Sequence, residues 1–551
     1  MSPPFTTCTG FILSVLLAVA ACEGDDIGDR GPTTEPDPFP SVVPGEQTLP
    51  RLTRAQFENS LRDIFGNELA VPSRIEPDVS IDGLIAIGAS RTSVSPRGAE
   101  QYETAAYDVA SQVMAEGPMR DALMSCTPAR TRDDACAEEV LGALGRRLWR
   151  RPLSVPELTM VTGIAGDAAS TLGDFYQGLE FGVAALLQSP NFLFRVELGR
   201  PSAGEELQYD SYEMASRLSF FLWNTTPDLE LLDAADDGEL LDDESLRAHA
   251  ERMVADPRAR GAVRAFFSDY YELYKLEALN KDPVEFVHMD AELGLMAQEE
   301  TLSLIEDLVF DQRGDFRELF TTKKTFVNRK LASIYDIPAP SLDGFAATRF
   351  PADSLRSGIL THVSILAGNS HPIDTSPTLR GKFVRKKLLC GLIFPPPVDV
   401  DASIPEPSED AKTMRERLTE HVAEPSCAGC HLTMDPIGLG LENFDALGHF
   451  RTTDNGAPID ASGEVDGEFY DDPIGLGQAL AVNRDVPRCL VDNMYRYANN
   501  RVEDDSEREL LAHLTERFEL RGYRIDELMV DMVLSPGFRS AVLPTAGEGE
   551  E

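Results

Sequence analysis

Apolar residues recur every three or four positions along most of this chain, the spacing of helices that bury one face. Phe57, Leu61, Ile64 and Phe65 make one such stripe, opened by Thr53 and Gln56 in capping-box order and stopped by Gly66. Ser154 with Glu157 repeats the start signal ahead of Leu158 and Val161. Asp210 with Glu213 repeats it before Met214, Leu218, Phe221 and Leu222, and Leu510, Leu514 and Phe518 keep the period near the end. Strand alternation is scarce. Asn455-Gly456 and the Asp- and Gly-rich residues after it predict turns or a short hairpin. No internal repeat of fixed period is present. The pattern predicts a mainly α, multi-helical chain of several small helical domains.

Four stretches break that pattern. Residues 11–21, FILSVLLAVAA, are too short to span ~30 Å of hydrocarbon but suit a signal-peptide core. They end in Val19-Ala20-Ala21-Cys22, which resembles a bacterial lipobox with Cys22 as the lipidated residue. The alternative is an ordinary cleaved signal with Cys22 an incidental thiol, and residues 1–10 lack the usual basic charge. Residues 23–50 are Pro-, Gly- and acid-rich and read as a tether; 394–410, with PPP and PEP, read as a second connector. The closing TAGEGEE reads as a disordered tail. The expectation is an exported protein held to a membrane by an N-terminal lipid, in the periplasm or at the cell surface.

Composition adds a constraint on partners. With 50 Lys+Arg against 93 Asp+Glu, the net charge of −43 argues against nucleic acid, which needs clustered basic residues. At 42% hydrophobic and 26% charged, the 551 residues are ordinary globular material, long enough for several packed units. The charge suits a redox partner with a basic docking patch, or serves only solubility. Nothing in the chain fixes an oligomeric state.

The strongest chemical signal is Cys427-Ala-Gly-Cys430-His431. CxxCH attaches c-type haem: the two thiols add to the vinyl groups and the adjacent His binds the iron. With eight Cys and eight His, chance supplies only about 2 × 10⁻³ such motifs in the chain. No βαβ pattern favours a thioredoxin-like pair, and no second close Cys/His pair completes a zinc site. One covalent haem c is therefore expected, with His431 on iron. For the opposite face, Met494 is the leading candidate, and His362, His371, His421 and His449 are alternatives. Met434, three residues past His431, lies on the same side of a continuing helix and reads as packing. Asp435, Glu442 and Asp445 read as structural, and Asp460 as a turn residue.

The surrounding residues carry a resemblance. CAGCHLTMDPIGLGLENFDALGHFRTTDNGAPIDASGE (427–464) resembles the cytochrome-type module of an exported multidomain family from planctomycetes and myxobacteria. TSPTLRGKFVRKKLLC (375–390) resembles the opening of that same module, and LTRAQFENSLRDIFG (52–66), GRRLWRRPLSVPEL (145–158), SPNFLFRVE (189–197), YEMASRLSFFLWNTTPD (212–228) and CLVDNMYRYANNR (489–501) match the family's other modules in order. Asn499-Asn500 stands where that family tends toward Leu-Gly. Beyond the signal at 1–21 and the tether at 22–50 read from composition, the resemblance implies helical modules at 51–118, 119–170 and 171–345. It further implies a haem module at 346–470 and a C-terminal module at 471–543, ahead of the tail at 544–551 read from composition.

Arg380, Lys382 and Arg385 form a basic island, and Arg380 and Arg385 are candidates to meet haem propionates. Arg146, Arg147, Arg150 and Arg151 suggest either an anion site or pairing with carboxylates. Four cysteines remain beyond the signal, lipid and haem positions, and four allow three connectivities. The expected one joins Cys126 to Cys136 across a short loop and Cys390 to Cys489 across a long one. Functionally, an electron-transfer haem protein of the envelope leads. The alternatives are a peroxidase- or oxidase-like enzyme with five-coordinate iron, and a surface-binding protein with structural haem. No GxSxG, HExxH or phosphate loop supports hydrolase or nucleotide chemistry.

Overall fold

Each of the three capping signals closes a hydrogen-bonded cap in the computed structural model of the protein. Thr53 and Gln56 exchange bonds at the head of the helix Arg54–Phe65, which ends at Gly66 with φ +98°. Ser154 with Glu157 heads Val155–Leu172, and Asp210 with Glu213 heads Ser211–Leu222. The structure describes residues 37–202, 204, 206–393, 406–422 and 425–544, with only the helical backbone at 420–422 and 425–430. The signal region, Cys22, most of the tether, residues 394–405 and the tail from 545 lie outside the described residues.

Helices dominate, as the periodicity predicts. Their apolar faces meet in two large cores. One gathers Leu52 to Leu193 together with Phe220; the other runs from Tyr209 to Ala541 and takes in Leu84 and Ile87. Phe220 and Phe221, neighbours on one helix, therefore face different cores.

Sheets are small. Asn455 (φ +47°) and Gly456 (φ +78°) make the turn of a hairpin pairing Thr453–Asp454 with Ala457–Pro458. Asp466-Gly467 does the same between Gly463–Val465 and Glu468–Tyr470. A three-stranded antiparallel sheet of Arg200–Pro201, Glu206–Gln208 and Ser540–Val542 carries no sequence signal, because strands of two or three residues show no alternation. Both expected disulfides are present, Cys126–Cys136 and Cys390–Cys489.

The helix that carries the CxxCH residues, Pro425–Leu439, crosses Pro377–Phe383 at very close range. A Cβ on Gly438 would lie 1.8 Å from the carbonyl oxygen of Pro377, and one on Gly381 would lie 1.9 Å from that of Met434. Glycine at both positions sets this contact.

Candidate functional site

Cys427, Cys430 and His431 stand within one turn and a residue of a single helix. The two cysteine side chains, and that of His421, lie outside the described residues. His431 is half-buried, and its Nδ1 lies 2.9 Å from Asp435 Oδ2, one helical turn on. Thr378 donates its hydroxyl to the other oxygen of Asp435 at 2.7 Å, from the facing helix Pro377–Phe383. A carboxylate at Nδ1 keeps the ring proton there and makes Nε2 the lone-pair nitrogen. The sequence reading gave Asp435 a structural part; the i, i+4 spacing to His431 was the available signal for a closer one.

Both arginines expected near propionates are committed to protein partners. Arg380 is fully buried, and its guanidinium donates to the carbonyls of Leu441 (2.9 Å), Phe444 (2.9 Å) and Asp445 (2.6 Å), with Glu442 3.5 Å away. Burial pulls it down to about 10. It clamps the loop that follows the CxxCH helix. Arg385 pairs with Asp466 at 2.6 Å and donates to the Thr433 carbonyl. Glu442 and Asp445 also serve that loop: Glu442 accepts from Thr375 and Arg451, and Asp445 caps the backbone of Leu447, Gly448 and His449. Asp460 closes a turn onto the Ser462 amide, as expected.

Met494 is buried in the larger core on the helix Asp485–Asn499, and Met434 is buried as expected. His362 is fully buried, with Thr301 at 3.0 Å from Nδ1 and Glu300 at 3.6 Å from Nε2. His449 sits between Asp445 (2.9 Å) and His288 (3.1 Å). The 146–151 arginines pair internally rather than forming an anion site: Arg146 with Asp233 and Asp236, Arg151 with Glu157, Arg147 and Arg150 with backbone carbonyls.

A cavity of about 610 Å³ adjoins this module. One wall is the same helix Pro377–Phe383, turned so that Thr378 meets His431 while Leu379, Lys382 and Phe383 face the space. Lys275, Lys281, Lys386 and Lys387 also line it. Of the basic island, Lys382 thus faces the cavity. Among the described residues, the wall includes neither His431 nor Met494. No cluster of three or more metal-ligating side chains occurs among the described residues.

Five family models match the chain in sequence order, each described as a protein of unknown function. They are DUF1587 over residues 51–115, DUF1595 over 136–197, DUF1592 over 209–337, DUF1588 over 356–454 and DUF1585 over 466–538. The DUF1588 match contains the CxxCH residues, His431, Asp435 and the basic island. No curated protein and no solved structure matches the chain.

Proposed function

The chain belongs to a multidomain family of unknown function built from these five domains, and from that premise we propose that it is an exported c-type haem protein that transfers electrons in the cell envelope. The observation that carries the reading is the His431–Asp435–Thr378 chain on the CxxCH helix. A haem-binding histidine needs a fixed ring and a defined lone pair, and an acceptor at the other ring nitrogen supplies both. The residues present fit the group: Cys427 and Cys430 for attachment, His431 for the iron. Haem c, when bound, supplies a one-electron iron couple. The chain's own part is to hold the ring through Asp435, to hold Asp435 through Thr378, and to lock the loop after the motif through Arg380. Two disulfides support export, since such bonds persist in oxidising compartments. Cys22 is the proposed lipid anchor, and the acidic surface suits an envelope partner with a basic patch.

The cavity beside the module favours a second reading, a haem-dependent redox enzyme that binds a substrate there. Optical spectra of the protein expressed with haem-attachment machinery separate the readings. A covalent haem spectrum that is lost in Cys427→Ser/Cys430→Ser supports both. A ferrous form inert to carbon monoxide supports electron transfer, while rapid binding supports the enzyme. A purified protein without covalent haem sinks both.

A further inference from the structure

We propose that the cavity beside the CxxCH helix is a binding site for a small organic anion, a molecule with an apolar body and one or two carboxylate, sulfonate or phosphate groups. The volume, about 610 Å³, falls within the range of small-molecule sites, roughly 300–1,000 Å³. The charge of the wall is the more telling feature. In a chain with 93 acidic and 50 basic residues, the charged residues lining this space, among the described residues, are five lysines and a single carboxylate, Glu272. Glu272 is already engaged by two of them, Lys387 at 3.1 Å and Lys275.

The other lysines are placed in two ways. Lys382 and Lys386 are exposed, one turn apart along the same stretch of helix, with no carboxylate within ion-pair distance among the described residues. Lys281 is buried, and its ammonium donates to the carbonyls of Ser370 (2.8 Å) and His371 (2.6 Å). Burial and the neighbouring Arg380 hold it down to about 8. Like charges gathered in a concave wall repel one another and focus a positive potential, a cost that an anionic ligand removes. Tyr271, Leu276, Leu279, Ile365, Leu379 and Phe383 supply the apolar surface for the body of such a ligand. The inference goes beyond the haem reading, because the described wall includes neither His431 nor Met494.

Equilibrium dialysis of the full mature chain against 1-anilinonaphthalene-8-sulfonate, at low and high salt, tests it. One saturable site that weakens with salt is expected. Lys382→Gln/Lys386→Gln lies on exposed positions and should weaken binding about tenfold with a shallower salt dependence. Leu379→Trp should abolish it by filling the space. Cys427→Ser/Cys430→Ser, which cannot attach haem, should bind the probe as the parent does, so failure of the haem reading leaves this one standing. Absence of a saturable site overturns the proposal. So does an affinity indifferent to the lysine pair or to Leu379→Trp, and so does binding that emerges only in the cysteine variant, which would make the cavity the haem's own.

Discussion

Two buried side chains exchange protons with solvent on folding in opposite senses. Glu300 is fully buried against Thr325 (2.7 Å) and Tyr335 (2.5 Å), and burial pushes its carboxyl up to about 7 from 4.5. A raised folded value means that its contribution to stability is present below 4.5 and is lost as pH rises through about 7. His362, also buried and near the Arg356 guanidinium, is brought down to about 3 from 6.5. Its contribution is present above 6.5 and is lost as pH falls through about 3. Between pH 4.5 and 6.5 the two cancel. Glu300→Gln therefore exposes the histidine's dependence: stability should rise with pH across that window, by about 1.4 kcal/mol per unit. His362→Gln should show the opposite slope. Urea unfolding of the parent and both variants at several pH values measures this, and three parallel profiles would contradict it. Asp435 offers a second residue-scale test, resting on the haem reading. Asp435→Asn weakens the acceptor at Nδ1, makes His431 a poorer donor to ferric iron, and should raise the midpoint potential in a redox titration. Thr378→Val removes a donor to Asp435, leaves a stronger acceptor at Nδ1, and should shift the potential the opposite way and less. CxxCH stands out in the sequence because, on the haem reading, the chemistry of attachment fixes its spacing. The Glu300–His362 pair was not, since 62 positions of sequence separate residues that only tertiary packing brings together.

Capping boxes and apolar stripes announced individual helices correctly, because both act within one or two turns. What the pattern could not announce was how helices meet. Gly381 and Gly438 carry no signal in the apolar pattern, yet each admits a backbone oxygen where a Cβ would stand. Gly438→Ala should force the two helices apart and cost about 1–3 kcal/mol in chemical denaturation. An alanine at Gly163, whose Cβ would meet nothing within 4 Å among the described residues, is the helical control and should cause no loss. The disulfides separate in the same way by loop length. Cys390–Cys489 closes a separation of 99 residues and Cys126–Cys136 one of 10, so in the chain-entropy account the first restrains the unfolded chain more, by about 2 kcal/mol. Paired Cys→Ala variants compared by denaturation should fall in that order. An equal loss from both would show that native-state effects outweigh loop entropy.

At the scale of the whole chain, module boundaries and physical units differ. Arg195 and Arg217 converge on buried Glu197, at 2.7 and 2.6 Å, and reach on to Asn500 and Asn499 at 2.8 and 2.7 Å. Asn500 takes a left-handed conformation (φ +55°), which asparagine tolerates better than most residues, and its side chain makes this contact. The network ties residues in the DUF1595, DUF1592 and DUF1585 matches to one another, and Gly45 adds the N-terminal segment through Glu507. The larger core crosses the same boundaries, from Leu84 to Ala541. Five sequence modules sharing cores and buried ion pairs should not melt as five bodies. Calorimetry of the chain should therefore give fewer transitions than modules. Glu197→Ala leaves two buried guanidinium groups without their shared carboxylate, a change that typically costs about 3–5 kcal/mol. It should also lower the melting of the central and C-terminal matches together. A variant that shifted one early transition and left the rest in place would mean that the matched segments are independent folding units after all.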